Sequence, residues 1–383
     1  MRKILVFDPA GYTMEYSYFL AKELSLSYPN TYLAVPEDTH FSIPNEFMSK
    51  TIFTYNSISA SQGMISKILE GMKLVYSHFK IIHFIRRNSI EVVIHQINPI
   101  SLLGLIFNFL IGRKVQKAQI LHNINPSHGN RNILISSCYK LYLKSLDSFI
   151  THSKSSKKEF IERFGFKEKL IFSTPLPLYQ IRNMDDEKET DFRERKLSNK
   201  RINFLIAGSI KKYKGIEVAV GAAKILMKQN ITSFQIVIAG KSHYDLTEIK
   251  NVIKLNKLDS IIKIIDNFLP DALLNSLLED ADCMLLPYLD SDGSGILSLA
   301  IHYEIPVIAS DLKFFEEMIN DHYAGEVFIT SSQSELSEKM KQFILDSSYR
   351  NSLSKKCHRK KNVYQNWGSY SKEVIGFISK STR

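Results

Sequence analysis

Cysteine is scarce in this sequence, and the three present, Cys138, Cys283 and Cys357, are too scattered and too odd in number for a disulfide framework. No CxxC pair is available for a metal knuckle, and a reducing, cytoplasmic setting is the expectation. HExxH, GxSxG and GxxxxGK[ST] are all missing, which argues against zinc proteases, elbow-type serine hydrolases and P-loop nucleotidases. A long unbroken apolar run is missing too. The longest uncharged stretch, 92–112, contains His95, Gln96, Asn98, Pro99, Ser101 and Asn108, a set that a lipid-spanning helix would not carry together. The apolar start of the chain stops at Asp8 with no small-residue cleavage site after it, so it reads as a first buried strand. No short repeat or low-complexity tract is found.

What is present is the composition of an ordinary globular protein, 44% hydrophobic and 23% charged over 383 residues. That length exceeds what one hydrophobic core supports and predicts two domains. Lys and Arg number 50 against 39 Asp and Glu, a net charge of +11, which favours polyanions: nucleic acid, anionic lipid headgroups or phosphorylated small molecules. A nucleic-acid binder should interleave aromatic and basic residues on a recognisable module, and none is found, so nucleic acid is not an expected partner.

Short apolar runs alternate with segments of helical period, the pattern of parallel sheets covered by helices. Strands are expected at 3–7, 32–35, 92–95, 119–122, 148–151 and 170–172, and again at 203–207, 235–239, 261–265, 283–287 and 306–309. Helices fit 216–228, 271–279 and 295–302. The fold class is therefore α/β, with two doubly wound, Rossmann-like parallel-sheet domains facing across a cleft. The expected division is an N-terminal domain at 1–178, a polar linker at 179–200, a C-terminal domain at 201–360, and a C-terminal helical segment at 361–383 that returns to the first domain.

Two segments of the second half carry phosphate chemistry. Ala207-Gly208-Ser209-Ile210-Lys211-Lys212-Tyr213-Lys214-Gly215 leaves a strand through one glycine and enters a helix through another, bringing ammonium groups and backbone N–H groups to one point. The competing reading is a solvated basic turn. In Leu286-Pro287-Tyr288-Leu289-Asp290-Ser291-Asp292-Gly293-Ser294-Gly295-Ile296-Leu297 a strand gives way to a polar turn and then an apolar helix, whose first N–H groups form an anion seat. A calcium loop fails here because its twelfth place is Ile301 rather than a bidentate Glu. In the first half, His122 or His128 of Leu121-His122-Asn123-Ile124-Asn125-Pro126-Ser127-His128 is placed to donate to a substrate oxygen, or is an ordinary loop histidine.

At these segments the chain resembles the family 4 glycosyltransferases, retaining enzymes of the GT-B class that move a sugar from a nucleotide diphosphate donor. The stretch from Gly208 to Gly215 looks like the family's basic glycine loop. Leu286-Pro287-Tyr288, Ser294-Gly295-Ile296-Leu297 and Pro306-Val307-Ile308-Ala309-Ser310-Asp311 are similar to its donor block, and Leu121-His122-Asn123 to its first-domain histidine loop. Many members carry two glutamates seven residues apart; Ser291 and Leu299 stand at those places, as in a branch with Ser-Gly-Ile/Val-Leu in this block.

The resemblance implies catalytic roles for His122, Lys211 and Lys214. Substrate-binding roles fall to Gly11, Tyr12, Gly208, Ser209, Gly240, Phe268, Asp292, Ser294, Gly295, Ile296 and Leu297. No cofactor and no metal are expected. The expected partners are a nucleotide-sugar donor and a glycan or lipid-linked glycan acceptor, with an anionic membrane surface as a further candidate. The run Leu102–Ile111, followed by Arg113, Lys114 and Lys117, is what suggests that surface, its rival being a buried helix. The expected role is synthesis of bacterial surface polysaccharide at the inner face of the cell membrane. A catalytically silent sugar-nucleotide-binding relative is the alternative.

Overall fold

A computed structural model of the chain describes residues 2–11, 13–37, 43–54, 64–97, 100–122, 124, 133–178, 201–291 and 293–381. Tyr12, Asn123, His128, Asp292 and the expected linker at 179–200 lie outside the described residues. Two compact units emerge, one comprising Met1–Pro175 with Gln365–Arg383, the other Leu176–Tyr364.

Unit 1 runs β1 (Ile4–Phe7), α1 (Met14–Ser27), β2 (Thr31–Pro36), α2 (Asn45–Met48), β3 (Thr51–Thr54), α3 (Met64–Asn88), β4 (Val92–His95), α4 (Ser101–Ile111), β5 (Gln116–Leu121), α5 (Ile133–Lys144), β6 (Ser148–Thr151), α6 (Lys154–Phe164) and β7 (Ile171–Ser173). Its seven strands are all parallel in the order β3-β2-β1-β4-β5-β6-β7. The order reverses between β1 and β4, where Phe7 pairs with His95, and loops at the carboxyl ends of those strands open onto the switch point. Strands β1 and β4 are buried along their whole length, which is why they read as unbroken apolar runs.

Unit 2 follows with β8 (Ile202–Ala207), α7 (Ile216–Lys228), β9 (Phe234–Ala239), α8 (Thr247–Leu255), β10 (Ile262–Ile265), α9 (Asp271–Asp280), β11 (Cys283–Leu286), α10 (Gly295–His302), β12 (Val307–Ser310), α11 (Lys313–Glu317), β13 (Gly325–Phe328), α12 (Gln333–Leu345) and α13 (Ser347–Asn362). Six parallel strands take the order β10-β9-β8-β11-β12-β13, with the reversal between β8 and β11. The last helix, α14 (Trp367–Lys380), belongs to unit 1 and packs on α1, with Trp367 edge-on to Tyr16 at 5.1 Å and tilted against Phe19 at 5.5 Å.

The expected pair of doubly wound α/β sheets is the fold observed, with local differences. Strands β3 and β13 were not expected, and both are edge strands, short and only partly buried, so their apolar signal is weak. Strand β5 starts at Gln116, three residues before the expected 119, because its polar residues are satisfied inside the unit. Gln116 Nε2 donates to the carbonyls of Ile378 and Ser381, and the buried Lys117 ammonium donates to the Gly112 and Val115 carbonyls at 2.9 and 2.8 Å.

Candidate active site

In unit 2 the site gathers at the switch point, from the loops that follow β8, β9 and β11. Gly208 leaves β8 with φ +87°, and the chain closes through a single 3-10 turn at Lys212–Lys214 into Gly215, φ +62°. A Cβ at Gly215 would lie 1.9 Å from the Pro287 carbonyl oxygen, so only glycine allows the β8 and β11 loops to touch. Leu289 N–H donates to the Tyr213 carbonyl at 2.6 Å across the same seam. On the other side, Gly240 ends β9 against the Gly208 carbonyl, and Ile210 N–H donates to Lys241 O at 2.8 Å.

The turn separates the lysines that the sequence presents together. Lys211 is exposed, whereas Lys214 is only 5% exposed and its Nζ donates to the Ala207 carbonyl at 2.8 Å, 5.4 Å from the centre of the Tyr288 ring. No carboxylate pairs with Lys214 among the described residues, and burial pulls its pKa down to about 8. An ammonium held out of water without a counter-charge costs several kcal/mol. Its Nζ would lie 3.2 Å from a Cβ at Gly208, and the Ile296 side chain closes over the same glycine at 3.1 Å, so the cation, the β8 loop and the start of α10 converge.

Helix α10 is capped by Ser294, whose Oγ accepts from Leu297 N–H at 3.3 Å. Leu297, expected in the substrate site, has its N–H on the cap and its side chain in the core at 1% exposure. The helix-start N–H groups left for an anion are those of Gly295, which is exposed, and Ile296. Ser291 Oγ donates to the Gly293 carbonyl at 2.7 Å and shapes the turn, while Leu299 is buried; neither place offers a carboxylate. Ser209 is exposed beside Gly208, and Phe268 is 55% exposed in the loop after β10.

In unit 1 the switch point holds a cluster that sequence reasoning largely missed. Asp8, fully buried at the end of β1, accepts from Gly11 N–H at 3.0 Å, Thr13 Oγ1 at 3.0 Å and Ser17 Oγ at 3.1 Å, thereby shaping the glycine turn before α1. Burial raises its pKa despite those donors. His122, half-buried just past β5, bonds Gln96 Oε1 through Nε2 at 2.8 Å and meets the edge of Tyr16 at 4.8 Å and His152 at 5.1 Å. Desolvation, with His152 beside it, holds its pKa well below the usual histidine range, so the ring is neutral. An amide oxygen only accepts, hence Nε2 carries the proton and Nδ1 keeps a lone pair. Gln96 thus engages the Nε2 side of the ring, and Nδ1 is the side left to meet a hydroxyl. The only prior signal for Asp8 and Gln96 was their place immediately after buried strands.

Solved structures with the same fold are numerous. HepE of Anabaena, solved with UDP and glucose, aligns with a TM-score of 0.73 at 14% identity, covering 99% of this chain and 100% of its own. Sucrose-phosphate synthase from Thermosynechococcus elongatus aligns with a TM-score of 0.75 at 15% identity, covering 99% of each chain. WaaG, a glycosyltransferase involved in lipopolysaccharide biosynthesis, gives 0.69 at 14% identity over 98% of this chain and 99% of its own. No curated protein matches the sequence. The two sheets are thus those of the GT-B class. Residues 187–360 match the family model for Glycosyl transferases group 1, a stretch that contains both the glycine–lysine loop and the start of α10. Over these residues the chain is similar to the group 1 glycosyltransferases.

Proposed function

We propose that the protein transfers a sugar, with retention of anomeric configuration, from a nucleoside diphosphate sugar to a hydroxyl of a glycan or lipid-linked glycan in bacterial surface polysaccharide synthesis. The observation that carries the donor half is Lys214: a buried cation without a carboxylate partner among the described residues, beside a glycine turn and a helix start that still offers N–H groups. A departing diphosphate supplies the missing negative charge, and preorganised donors aimed at it stabilise the transition state. Lys211 adds an exposed charge at the mouth of the loop. With two lysines set against the diphosphate, the reaction is proposed to need no metal.

Orientation of the acceptor hydroxyl falls to unit 1, to the Nδ1 lone pair of His122 and to Gly11 and Tyr12. Attack comes from the face that the leaving group departs, a donor phosphate oxygen taking the acceptor proton. Uridine is the base suggested by HepE, solved with UDP, UDP-glucose, and UDP with glucose. A surface-polysaccharide acceptor is suggested by WaaG and by WaaB, a lipopolysaccharide outer core galactosyltransferase. Such an acceptor places the enzyme at the cytoplasmic face of a membrane.

A thermal-shift panel of uridine, guanosine and adenosine diphosphates tests the donor half, because a ligand of the native state raises the melting temperature according to its affinity. UDP should give the largest rise; no rise with any nucleotide would sink the reading. The absence of a carboxylate at Ser291 and Leu299 favours one rival, a silent sugar-nucleotide binder. Binding of UDP-glucose without hydrolysis or transfer, with the candidate acceptors supplied, would establish that rival.

A further inference from the structure

Three side chains that the proposed chemistry does not use stand around His122, and two of them come from opposite ends of the chain. Tyr16 of α1 crosses the His122 ring at right angles with centroids 4.8 Å apart, and His152, just past β6, lies tilted against it at 5.1 Å. Tyr370 of α14 completes the group. Its hydroxyl is hydrogen-bonded to the Tyr16 hydroxyl, and its ring meets Tyr16 at 6.0 Å and His152 at 6.3 Å. Trp367, one turn earlier on α14, also packs on Tyr16, at 5.1 Å. Two rings of the last helix thus hold the tyrosine that walls His122. The helix is itself fixed at both ends: Asn366 Oδ1 caps its start by accepting from Ser369 N–H at 2.8 Å, and Gln116 of β5 donates to the Ile378 and Ser381 carbonyls at its finish.

An imidazole serves as an acceptor only when the right nitrogen faces the hydroxyl. In His122 the bond from Nε2 to Gln96 Oε1 makes that choice, but a half-turn about the Cβ–Cγ bond would break it and put carbon where each nitrogen stands. That torsion is soft and roughly two-fold, and one hydrogen bond is a weak lock on it. Rings packed on either neighbour are a stronger one, because close-packed side chains leave no room to turn. The same rings keep water away, and desolvation keeps the imidazole neutral with its lone pair free. Of the titratable groups around it, His152 is the one whose charge acts on His122, while burial drives the Tyr370 pKa upward and keeps that phenol uncharged. Tyr16 and Tyr370 are fully buried, so the wall they form is part of the unit 1 interior.

We infer that Tyr370 and Tyr16 are positioning residues for His122, so that the last helix of the chain sets which ring nitrogen meets the acceptor. The inference deepens the acceptor half of the proposed function and rests on it for what His122 meets, whereas its test reads the ring itself. Histidine-selective 15N NMR of the full chain, between about pH 8 and pH 5.5, reports tautomer and charge. Wild-type His122 is expected to stay neutral and protonated on Nε2 throughout. Tyr370→Leu should mix the two tautomers and raise the His122 midpoint by about one unit or more, toward the 6.5 of a solvated ring. Tyr370→Phe removes only the hydroxyl pair and should move the midpoint the same way by about a few tenths of a unit; it decides the matter if the Leu variant does not fold. His95, buried in the same unit against Phe7, Phe107 and Tyr142, reports general loosening and should keep its wild-type signals. Unchanged His122 signals in the variants would overturn the inference. So would a His95 that moves together with His122, since α14 would then only stabilise unit 1 as a whole. Failure of the donor reading shows separately, as the absence of a UDP-induced thermal shift in the wild type.

Discussion

Lys214 and Lys211 are three residues apart, yet they present different electrostatic problems. A charge-assisted contact to a diphosphate is worth about 1.5–3 kcal/mol when desolvated and much less in the high dielectric of an exposed loop. Lys214→Met should therefore weaken UDP binding ten- to hundredfold with an unchanged or higher melting temperature, because an uncompensated buried charge is removed. Lys211→Ala should weaken it only a few-fold. Calorimetric titration against pH adds a signature: with its pKa pulled down to about 8, Lys214 is charged below that value and neutral above it. UDP affinity should accordingly fall as pH rises through 8 in the wild type and in Lys211→Ala, while the Lys214→Met profile is flat there. An equal response of the two lysines to substitution would mean that the buried one is only structural.

At the scale of the element, the start of α10 is the piece whose geometry leaves least room. Ser294 takes the Leu297 N–H, and Gly295, exposed and without a side chain, is where a phosphate oxygen can approach the helix start. Gly295→Val should raise the dissociation constant for UDP by more than tenfold while circular dichroism and the unit 1 transition stay unchanged; wild-type affinity would place the anion seat elsewhere. This element was legible in the sequence because strand, polar turn, cap and apolar helix follow one another within twenty residues. The unit 1 cluster was not. His122 meets Gln96 from 26 residues away, and Tyr16 bonds Tyr370 across 354 residues, so no local pattern announces either contact. The edge strands β3 and β13 escaped for want of burial. The outer side of α3, where Ile68, Met72, Tyr76 and Phe79 are exposed, escaped because an apolar helix side implies burial by default, and only the fold shows which side faces the sheet.

Over the whole molecule the buried histidines of unit 1 set the response to acid. Burial holds His95 at about 3 and His152 at about 4, puts His122 well below its usual range and lowers His78 as well, so the first three are neutral in the folded unit at pH 6. Unfolded histidines take up protons near 6.5. The unfolded state thus binds more protons as pH falls below about 6.5, and stability is lost from there toward 4, by up to about 1.4 kcal/mol per pH unit for each fully buried ring. Asp8, raised by its own burial, acts in the opposite sense, one group against four. Urea unfolding at pH 7 and pH 5.5 should show a lower midpoint for unit 1 at the more acidic value; a midpoint that rises on acidification would refute this assignment. Unit 1 is also discontinuous in the chain, closed by the segment from Gln365 through α14, which supplies Trp367 and Tyr370 to α1 and sets Gln365 and Glu373 within hydrogen-bond distance of the Thr174 hydroxyl. During translation, therefore, residues 365 onward leave the ribosome only after all of unit 2 has been made. Nascent unit 1 must wait with the flank of α1 uncovered and exposed to chaperones, while the unit synthesised second has every one of its residues in hand and is the first able to finish folding.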